Sequence, residues 1–218
     1  MKNRFVLLII SSILMILLVA PIAADSGTAE EKYLQEITLK KKTLNGESLY
    51  HYRMDLFLSF GSSLDETFES SEMDYGSRFS LIKITEGSTK VLYQSRGSMD
   101  SYFLRPSFFS TDINKAPLLI LAETGTEYSW GARVFLVSPD GSAKNPGSLK
   151  VAVIEDPEND TVSIIPHTRI NFDGKRYEFT FEKDVIFNPG GPDDHPVNRS
   201  RIKYVYDGTS LKCIETVK

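Results

Sequence analysis

Hydrophobic and polar residues alternate over most of the chain after position 30, and the clearest alternation runs from Tyr50 to Phe60. The apolar positions are Tyr50, Tyr52, Met54, Leu56, Leu58 and Phe60. Successive side chains of a β-strand point to opposite faces, so this period of two predicts one strand with an apolar face. The other face carries His51, Arg53 and Asp55, for which a cross-strand salt bridge is the ordinary interpretation and a functional histidine the alternative.

Similar short runs predict further strands over residues 79–84, 91–93, 117–121, 132–137, 149–154, 162–165, 167–172, 176–181, 202–206 and 211–214. The run at 117–121 is apolar throughout, which is typical of a central strand buried on both faces. The one short helical candidate, residues 29–35, could equally lead into the first strand. The pattern therefore indicates an all-β fold.

Turn residues separate these runs in a way that favours hairpins. Asn45-Gly46, Asp140-Gly141, Asp173-Gly174 and Asp207-Gly208 each lie between two predicted strands. Tight hairpin turns need positive φ angles, which such pairs adopt easily. We expect an antiparallel β-sandwich or an open barrel built from hairpins. The nearly regular spacing of the three Asp-Gly turns keeps a partial β-propeller as a minor alternative.

Three polar stretches interrupt the strands and predict long loops. Residues 61–76 are acidic and serine-rich, residues 96–117 are irregular, and residues 188–200 are rich in proline and glycine. The second stretch contains Tyr102, Phe103, Phe108 and Phe109, which we expect to pack back onto the body of the domain. Long loops in compact domains are either functional or disordered.

The first 24 residues have the three parts of a secretory signal peptide. Lys2 and Arg4 precede an uncharged apolar segment from Phe5 to Ala20, and small residues follow up to Ala24. We expect cleavage after Ala24, which leaves residues 25–218 as a single exported all-β domain, periplasmic or secreted, without a stable membrane span. An uncleaved anchor is the alternative. The leader is bacterial in style.

Composition narrows the function classes. The chain has 25 basic and 29 acidic residues and a formal charge of −4. Loss of Lys2 and Arg4 with the leader moves the charge to about −6, which argues against a nucleic-acid partner. Cys213 is the only cysteine, so the domain cannot form an internal disulfide. We expect Cys213 to be a small strand residue that faces the core.

The loop at residues 123–131 holds the most suggestive side chains. Glu127, Tyr128 and Trp130 predict a binding site, because aromatic rings beside carboxylates can stack on a sugar or hold a peptide. Glu123 and Glu127 are also two conceivable acids for glycoside hydrolysis. The alternative is a purely structural role, in which Trp130 closes one end of the sandwich and the glutamates are solvated.

Metal and cofactor chemistry have weaker support. Asp193, Asp194 and His195 could bind a divalent cation, although adjacent residues seldom converge on one ion. Residues 155–160 are rich in oxygen-bearing side chains but lack the spacing of a calcium loop, which favours a hairpin tip. The chain contains no phosphate-binding, zinc-protease or nucleophile-elbow motif, and no cofactor is predicted.

Taken together, these features predict an exported non-enzymatic β-domain that binds a protein, a glycan or an envelope component. A carboxylate-dependent hydrolase acting on glycans or peptides is the second hypothesis, and a structural assembly subunit is a third.

The leader gives the first testable prediction. When the full chain is expressed in a bacterial host and the exported product is analysed by intact mass spectrometry, we expect the N-terminus to be Asp25. A product that retains residues 1–24, or a cut at another bond, would contradict the assigned site.

Overall fold

The continuous apolar run near position 118 forms a strand that is buried on both faces. In the computed structural model, which describes residues 33–44, 46–61, 76–98, 101–154 and 161–216, this strand is β8 (Leu118–Gly125). Its residues from Leu118 to Ala122 are each 0% exposed. A strand without alternation needs apolar partners on both sides, so the predicted central strand is confirmed.

β8 lies in the middle of a five-stranded antiparallel sheet, which we call the central sheet. Its order is β1-β7-β8-β9-β10. The other strands are β1 (Gln35–Ile37), β7 (Phe103–Ser110), β9 (Ser129–Val137) and β10 (Ala143–Leu149).

A second five-stranded sheet, the N-terminal sheet, covers one face of the central sheet. It is a meander of β2 (Lys40–Leu44), β3 (Glu47–Arg53), β4 (Leu56–Gly61), β5 (Arg78–Thr85) and β6 (Ser88–Gln94). Leu58, Phe79 and Leu81 from this sheet share one core with Ile120 and Phe135. The Phe79 and Phe135 rings lie 4.8 Å apart between centroids, within the range of favourable aromatic pairs.

Two four-stranded sheets cover the opposite face. One has the order β12-β11-β15-β16, and the C-terminal sheet has the order β13-β14-β17-β18. Their strands are β11 (Val151–Ile154), β12 (Thr161–Val162), β13 (Thr168–Phe172), β14 (Tyr177–Phe181), β15 (Val185–Phe187), β16 (His195–Val197), β17 (Ile202–Tyr206) and β18 (Leu211–Glu215). Leu119, Leu121 and Val134 pack here against residues such as Phe179 and Tyr204.

The architecture is therefore all-β, with antiparallel sheets stacked face to face as in a β-sandwich and a third layer added. None of the four sheets closes on itself within the described part of the chain. The Asp173-Gly174 and Asp207-Gly208 turns lie in one sheet and Asp140-Gly141 in another, so the turns do not mark equivalent blades. No helix among the described residues is long and apolar enough to cross a membrane.

The predicted glycine turns join paired strands. Gly46, Gly141, Gly174 and Gly208 have φ angles of 83°, 84°, 95° and 98°. Asn45 lies outside the described residues, but Leu44 pairs with Glu47 across its turn. The four hairpins are confirmed by the pairing of the strands on either side.

The long strand predicted over Tyr50 to Phe60 is wrong, because it is a hairpin. Arg53 pairs with Leu56 across a turn at Met54 and Asp55. Met54 has a φ of 43° and is 87% exposed, although the alternation placed it on the apolar face. The register shifts between His51 and Arg53, which is a β-bulge. Because of the extra residue in β3, the even-numbered residues of β3 and of β4 lie on the same face of the sheet. The hydrophobic alternation therefore continues through the turn, and the hairpin looks like a single strand in the sequence.

The irregular loop predicted over residues 96–117 is also wrong in its middle, where β7 forms. Pro106 obscures the strand in the sequence because proline cannot donate to a ladder. β1 pairs only with Phe108 to Ser110, so the half of β7 that contains Pro106 is an edge where proline is tolerated. Phe108 and Phe109 are buried, as expected, but as strand residues. The expectation is wrong for Tyr102, which is 80% exposed.

Other expectations are corrected in detail. The run at 149–154 is split between β10 and β11, and 162–165 is mostly not strand. The loop at 188–200 contains β16 and a short 3₁₀ turn, Arg199–Arg201.

Cys213 lies in a strand, as predicted, but it is exposed because β18 is an edge strand. Residues 1–32, 62–75 and 155–160 lie outside the described residues, although Ile154 pairs with Thr161 on either side of the last segment.

Gly131 tests how closely the backbones of the neighbouring strands β9 and β10 approach each other in the central sheet. Its φ is 113°, and a Cβ there would lie 2.0 Å from the Leu149 carbonyl oxygen. We expect Gly131→Ala to lower the free energy of unfolding by at least about 3 kcal/mol, from backbone strain and overpacking together. Urea denaturation would measure it.

Gly174→Ala is the matched control, because its φ is 95° and a Cβ there would meet nothing within 4 Å. It should cost only the strain, about 1–2 kcal/mol. Equal losses for the two variants would contradict the close approach at Gly131.

From the aspartates of the Asp-Gly turns we expect the stability of the fold to fall in acid. The Ser210 amide, the Lys212 ammonium and the Thr209 amide donate to Asp207 and hold the pKa of its carboxyl well below the ordinary value. Amide donors of Arg176 and Lys175 lower the pKa of Asp173 likewise. A depressed carboxyl pKa stabilises the fold fully above about pH 4 and loses that effect as pH falls through the folded pKa.

Asp207→Asn should therefore lower the urea midpoint at neutral pH, and its difference from the original chain should shrink below pH 4. Glu86→Gln is the control, since the Glu86 carboxylate forms no hydrogen bond with the described residues. A difference that is the same from pH 7 to pH 2 would show that the Asp207 charge does not stabilise this turn.

Candidate functional site

The β8–β9 hairpin ends in a tightly held loop. The Gly125 amide donates to Ser101 Oγ at 2.8 Å, and the Tyr102 amide donates to the Gly125 carbonyl at 2.8 Å. A Cβ on Gly125 would lie 2.1 Å from the Tyr128 carbonyl oxygen, so only glycine fits there. These contacts fix the backbone from which Glu127 and Tyr128 project.

Three of the residues predicted from the sequence line one open depression of about 300 Å³ beside this loop. They are Glu123, Glu127 and Tyr128, and they are joined by Phe103, Arg105 and the small hydroxyl residues Thr126, Ser129, Thr161 and Ser163. The Tyr128 side chain is exposed, with 39% of its surface accessible. The depression thus combines aromatic rings, both signs of charge and several hydroxyl groups.

Arg105 is set against the wall of this depression by its neighbours. It lies directly opposite Glu123 in the β7–β8 register. Its guanidinium carbon stacks 4.1 Å from the centre of the Phe103 ring, a cation–π contact that restricts its motion. Neither Arg105 nor Phe103 could be recognised as a site residue from the sequence, because both lie in the stretch predicted to be an irregular loop.

Trp130 lies elsewhere. It occupies the register shift at the start of β9 and lines a separate depression of about 250 Å³ with Ser98, Ser101, Thr124 and Arg133. No residue lines both depressions. The structure therefore brings Glu127 and Tyr128 together but does not bring Trp130 to them.

The loop after β15 comes next to the same hairpin. A Cβ on Gly190 would lie 3.6 Å from the Tyr128 hydroxyl oxygen, so this glycine lies against the ring. The Gly190 amide donates to the Asp194 carboxylate at 3.0 Å. Two stretches that are far apart in the sequence thus form one end of the domain, and Asp194 helps to shape the wall beside Tyr128.

Of the three residues proposed as metal ligands, Asp194 and His195 have side chains with different partners. The Asp194 carboxylate accepts from Gly190, and the Asp193 carbonyl lies 2.6 Å from His195 Nδ1. His195 Nε2 lies 3.6 Å from a carboxylate oxygen of Glu215 on β18. Among the described residues, no group of three or more histidine, cysteine, aspartate or glutamate side chains is arranged to hold a metal ion.

His51 has a local role. Its Nε2 lies 2.9 Å from the Met54 carbonyl oxygen, and its ring lies 5.1 Å from that of Phe57. The salt bridge expected from this group joins Asp55 to Lys83 on β5 at 3.2 Å. His51 therefore stabilises the β3–β4 turn.

No family model matches the chain, and neither a curated protein nor a solved structure matches it. The site is accordingly interpreted from its own residues.

Proposed function

We propose that this chain is an exported carbohydrate-binding domain, and that the depression around Tyr128 is its binding site. The observation that carries the proposal is the convergence of Glu123, Glu127, Tyr128, Phe103 and Arg105 on one open depression. Export rests on the leader at residues 1–24, which lies outside the described residues.

The lining favours a glycan over an apolar ligand. Sugars present flat C–H faces, which stack on aromatic rings, and hydroxyl groups, which pair with carboxylates and guanidinium groups. Tyr128 and Phe103 supply rings, while Glu123, Glu127 and Arg105 supply acceptors and donors. The depression is open, which suits one segment of a longer polysaccharide chain.

The rigid support of the site also favours binding. The backbone of the hairpin is fixed by Ser101, and Thr161 Oγ donates to the Ser129 carbonyl at 2.7 Å from the neighbouring strand β12. A site that is already ordered loses little conformational entropy when it binds.

A hydrolase is the second candidate, because Glu123 and Glu127 line the same depression. Glycoside hydrolysis uses two carboxylates on either side of the scissile bond. In this candidate the two glutamates would act as acid and as base or nucleophile, and the aromatic residues would hold the sugar.

The variant Tyr128→Ala tests the proposed glycan site most directly. The mature chain is screened against an array of envelope and extracellular oligosaccharides, and the strongest ligand is titrated by calorimetry. Because Tyr128 provides a stacking surface, Tyr128→Ala should weaken binding at least about 10-fold, equivalent to about 1.4 kcal/mol. Glu127→Gln should also weaken it.

Tyr33→Ala is the matched control, since Tyr33 is 38% exposed and does not line this depression. It should leave the affinity unchanged. An array without any bound oligosaccharide, or equal effects of the two tyrosine variants, would contradict the proposal. The appearance of new reducing ends that Glu123→Gln abolishes would instead establish the hydrolase.

A further inference from the structure

A second cavity lies far along the sequence from the residues of the proposed glycan site. It has a volume of about 480 Å³ and is formed by the C-terminal sheet together with the 3₁₀ turn at Arg199–Arg201. None of its lining residues lines the depression around Tyr128.

All the charged residues that line this cavity are positive, although the whole chain is acidic. They are Arg199, Arg201 and Lys203. Lys203 is paired with Glu178 at 3.0 Å, so its charge is largely compensated. Neither arginine forms an ion pair with a carboxylate among the described residues. Arg169 and, more weakly, Arg199 lower the pKa of the Glu182 carboxyl, so part of the Arg199 charge is compensated. The cavity therefore keeps the charge of Arg201 and part of the charge of Arg199.

Each guanidinium is oriented by one hydrogen bond to the backbone. Arg201 Nε donates to the Thr216 carbonyl at 2.9 Å, and Arg199 donates to the Glu182 carbonyl. A guanidinium has five N–H donors, so both arginines keep donors for a ligand. The turn that carries them is fixed as well, because the Arg199 amide donates to the Asp184 carboxylate at 2.9 Å.

The rest of the lining is suited to an organic ligand. Thr180 and Thr216 provide hydroxyl groups, and Ile214 provides most of the apolar surface, because Phe181 and Ile202 are buried. Ile214 is one of the few large hydrophobic residues left exposed among the described residues, at 43%. An anion alone would leave this apolar surface in water.

We infer that this cavity binds a phosphate monoester, with the phosphoryl group between Arg199 and Arg201 and its organic part against Ile214. A phosphate monoester carries about two negative charges at neutral pH and three acceptor oxygens, which matches two arginines better than a single carboxylate does. The ligand is a phosphorylated small molecule such as a sugar phosphate, or the monoester headgroup of a lipid. This site is independent of the proposed glycan site.

Calorimetry on the mature chain at low ionic strength tests the inference, with glucose 1-phosphate as the soluble probe. We expect saturable binding that weakens with added sodium chloride, as for exposed charges. Arg201→Gln and Arg199→Gln should each weaken it at least 10-fold. Arg201→Lys keeps the charge but loses the planar fork, so its affinity should lie between those of the glutamine variants and the original chain.

Arg176→Gln is the matched control, because Arg176 lies in the same sheet at a hairpin turn, pairs with Asp173 at 3.4 Å and does not line the cavity. It should bind like the original chain, as should Tyr128→Ala. Thermal melting without ligand must show that each variant is folded, and Arg201→Lys serves if Arg201→Gln is not.

A second binding experiment uses vesicles of phosphatidylcholine with phosphatidic acid, and it distinguishes a lipid headgroup from a soluble ligand. Binding to these vesicles but not to glucose 1-phosphate, lost in Arg201→Gln, assigns the site to a lipid headgroup, and the reverse result assigns it to a soluble ligand. The inference is overturned if neither probe binds, or if Arg176→Gln weakens binding as much as Arg201→Gln, since the effect would then be general electrostatics.

Discussion

The fold depends on the burial of the central sheet on both faces. The side chains of β8 alternate between two separate cores, with Leu118 and Ile120 in one and Leu119 and Leu121 in the other. Full burial of one such side chain contributes about 1.5–3 kcal/mol. Since the single cysteine cannot form an internal disulfide, this packing must hold the three layers together. At Gly131 it is the neighbouring strand of the same sheet, which ends at Leu149, that leaves no room for a methyl group.

This constraint also determines where chemistry can occur. Both faces of the central sheet are largely apolar inside the stack, and the polar side chains of the proposed glycan site lie where strands leave the layers. Glu127 and Tyr128 lie at the tip of the β8–β9 hairpin, while Glu123 and Arg105 lie near the ends of their strands. The cavity proposed to bind a phosphate monoester lies on the outer face of the C-terminal sheet, where Lys203 and Thr180 alternate with buried neighbours. Both sites are therefore supported by strands whose opposite sides belong to the core.

The sequence predicts the strands and turns of this protein better than it predicts which strands pair and which side chains from distant segments lie together. Alternation and Asp-Gly pairs identified most hairpins, because both are local properties of the backbone. The bulge in β3 depends on pairing with β4, and without that knowledge Tyr50 to Phe60 resembles one strand. Pro106 is compatible with a strand only because β1 is too short to reach it. Tyr128 and Glu127 could be singled out by residue type, whereas Arg105, Arg199 and Arg201 become candidates only when distant segments are brought together.

The charges of the two proposed sites differ in a way that the net charge does not reveal. An acidic molecule repels anions at long range, but salt screens this repulsion within about 8 Å under physiological conditions. A phosphate that reaches the cavity is then affected mainly by Arg199 and Arg201, which are close and already oriented by backbone carbonyls. Around Tyr128, Glu123 and Glu127 outnumber Arg105, so the proposed site disfavours anions and suits a neutral ligand with many hydroxyl groups. One acidic domain can thus carry a neutral-ligand site and an anion site, because each is determined by its nearest side chains.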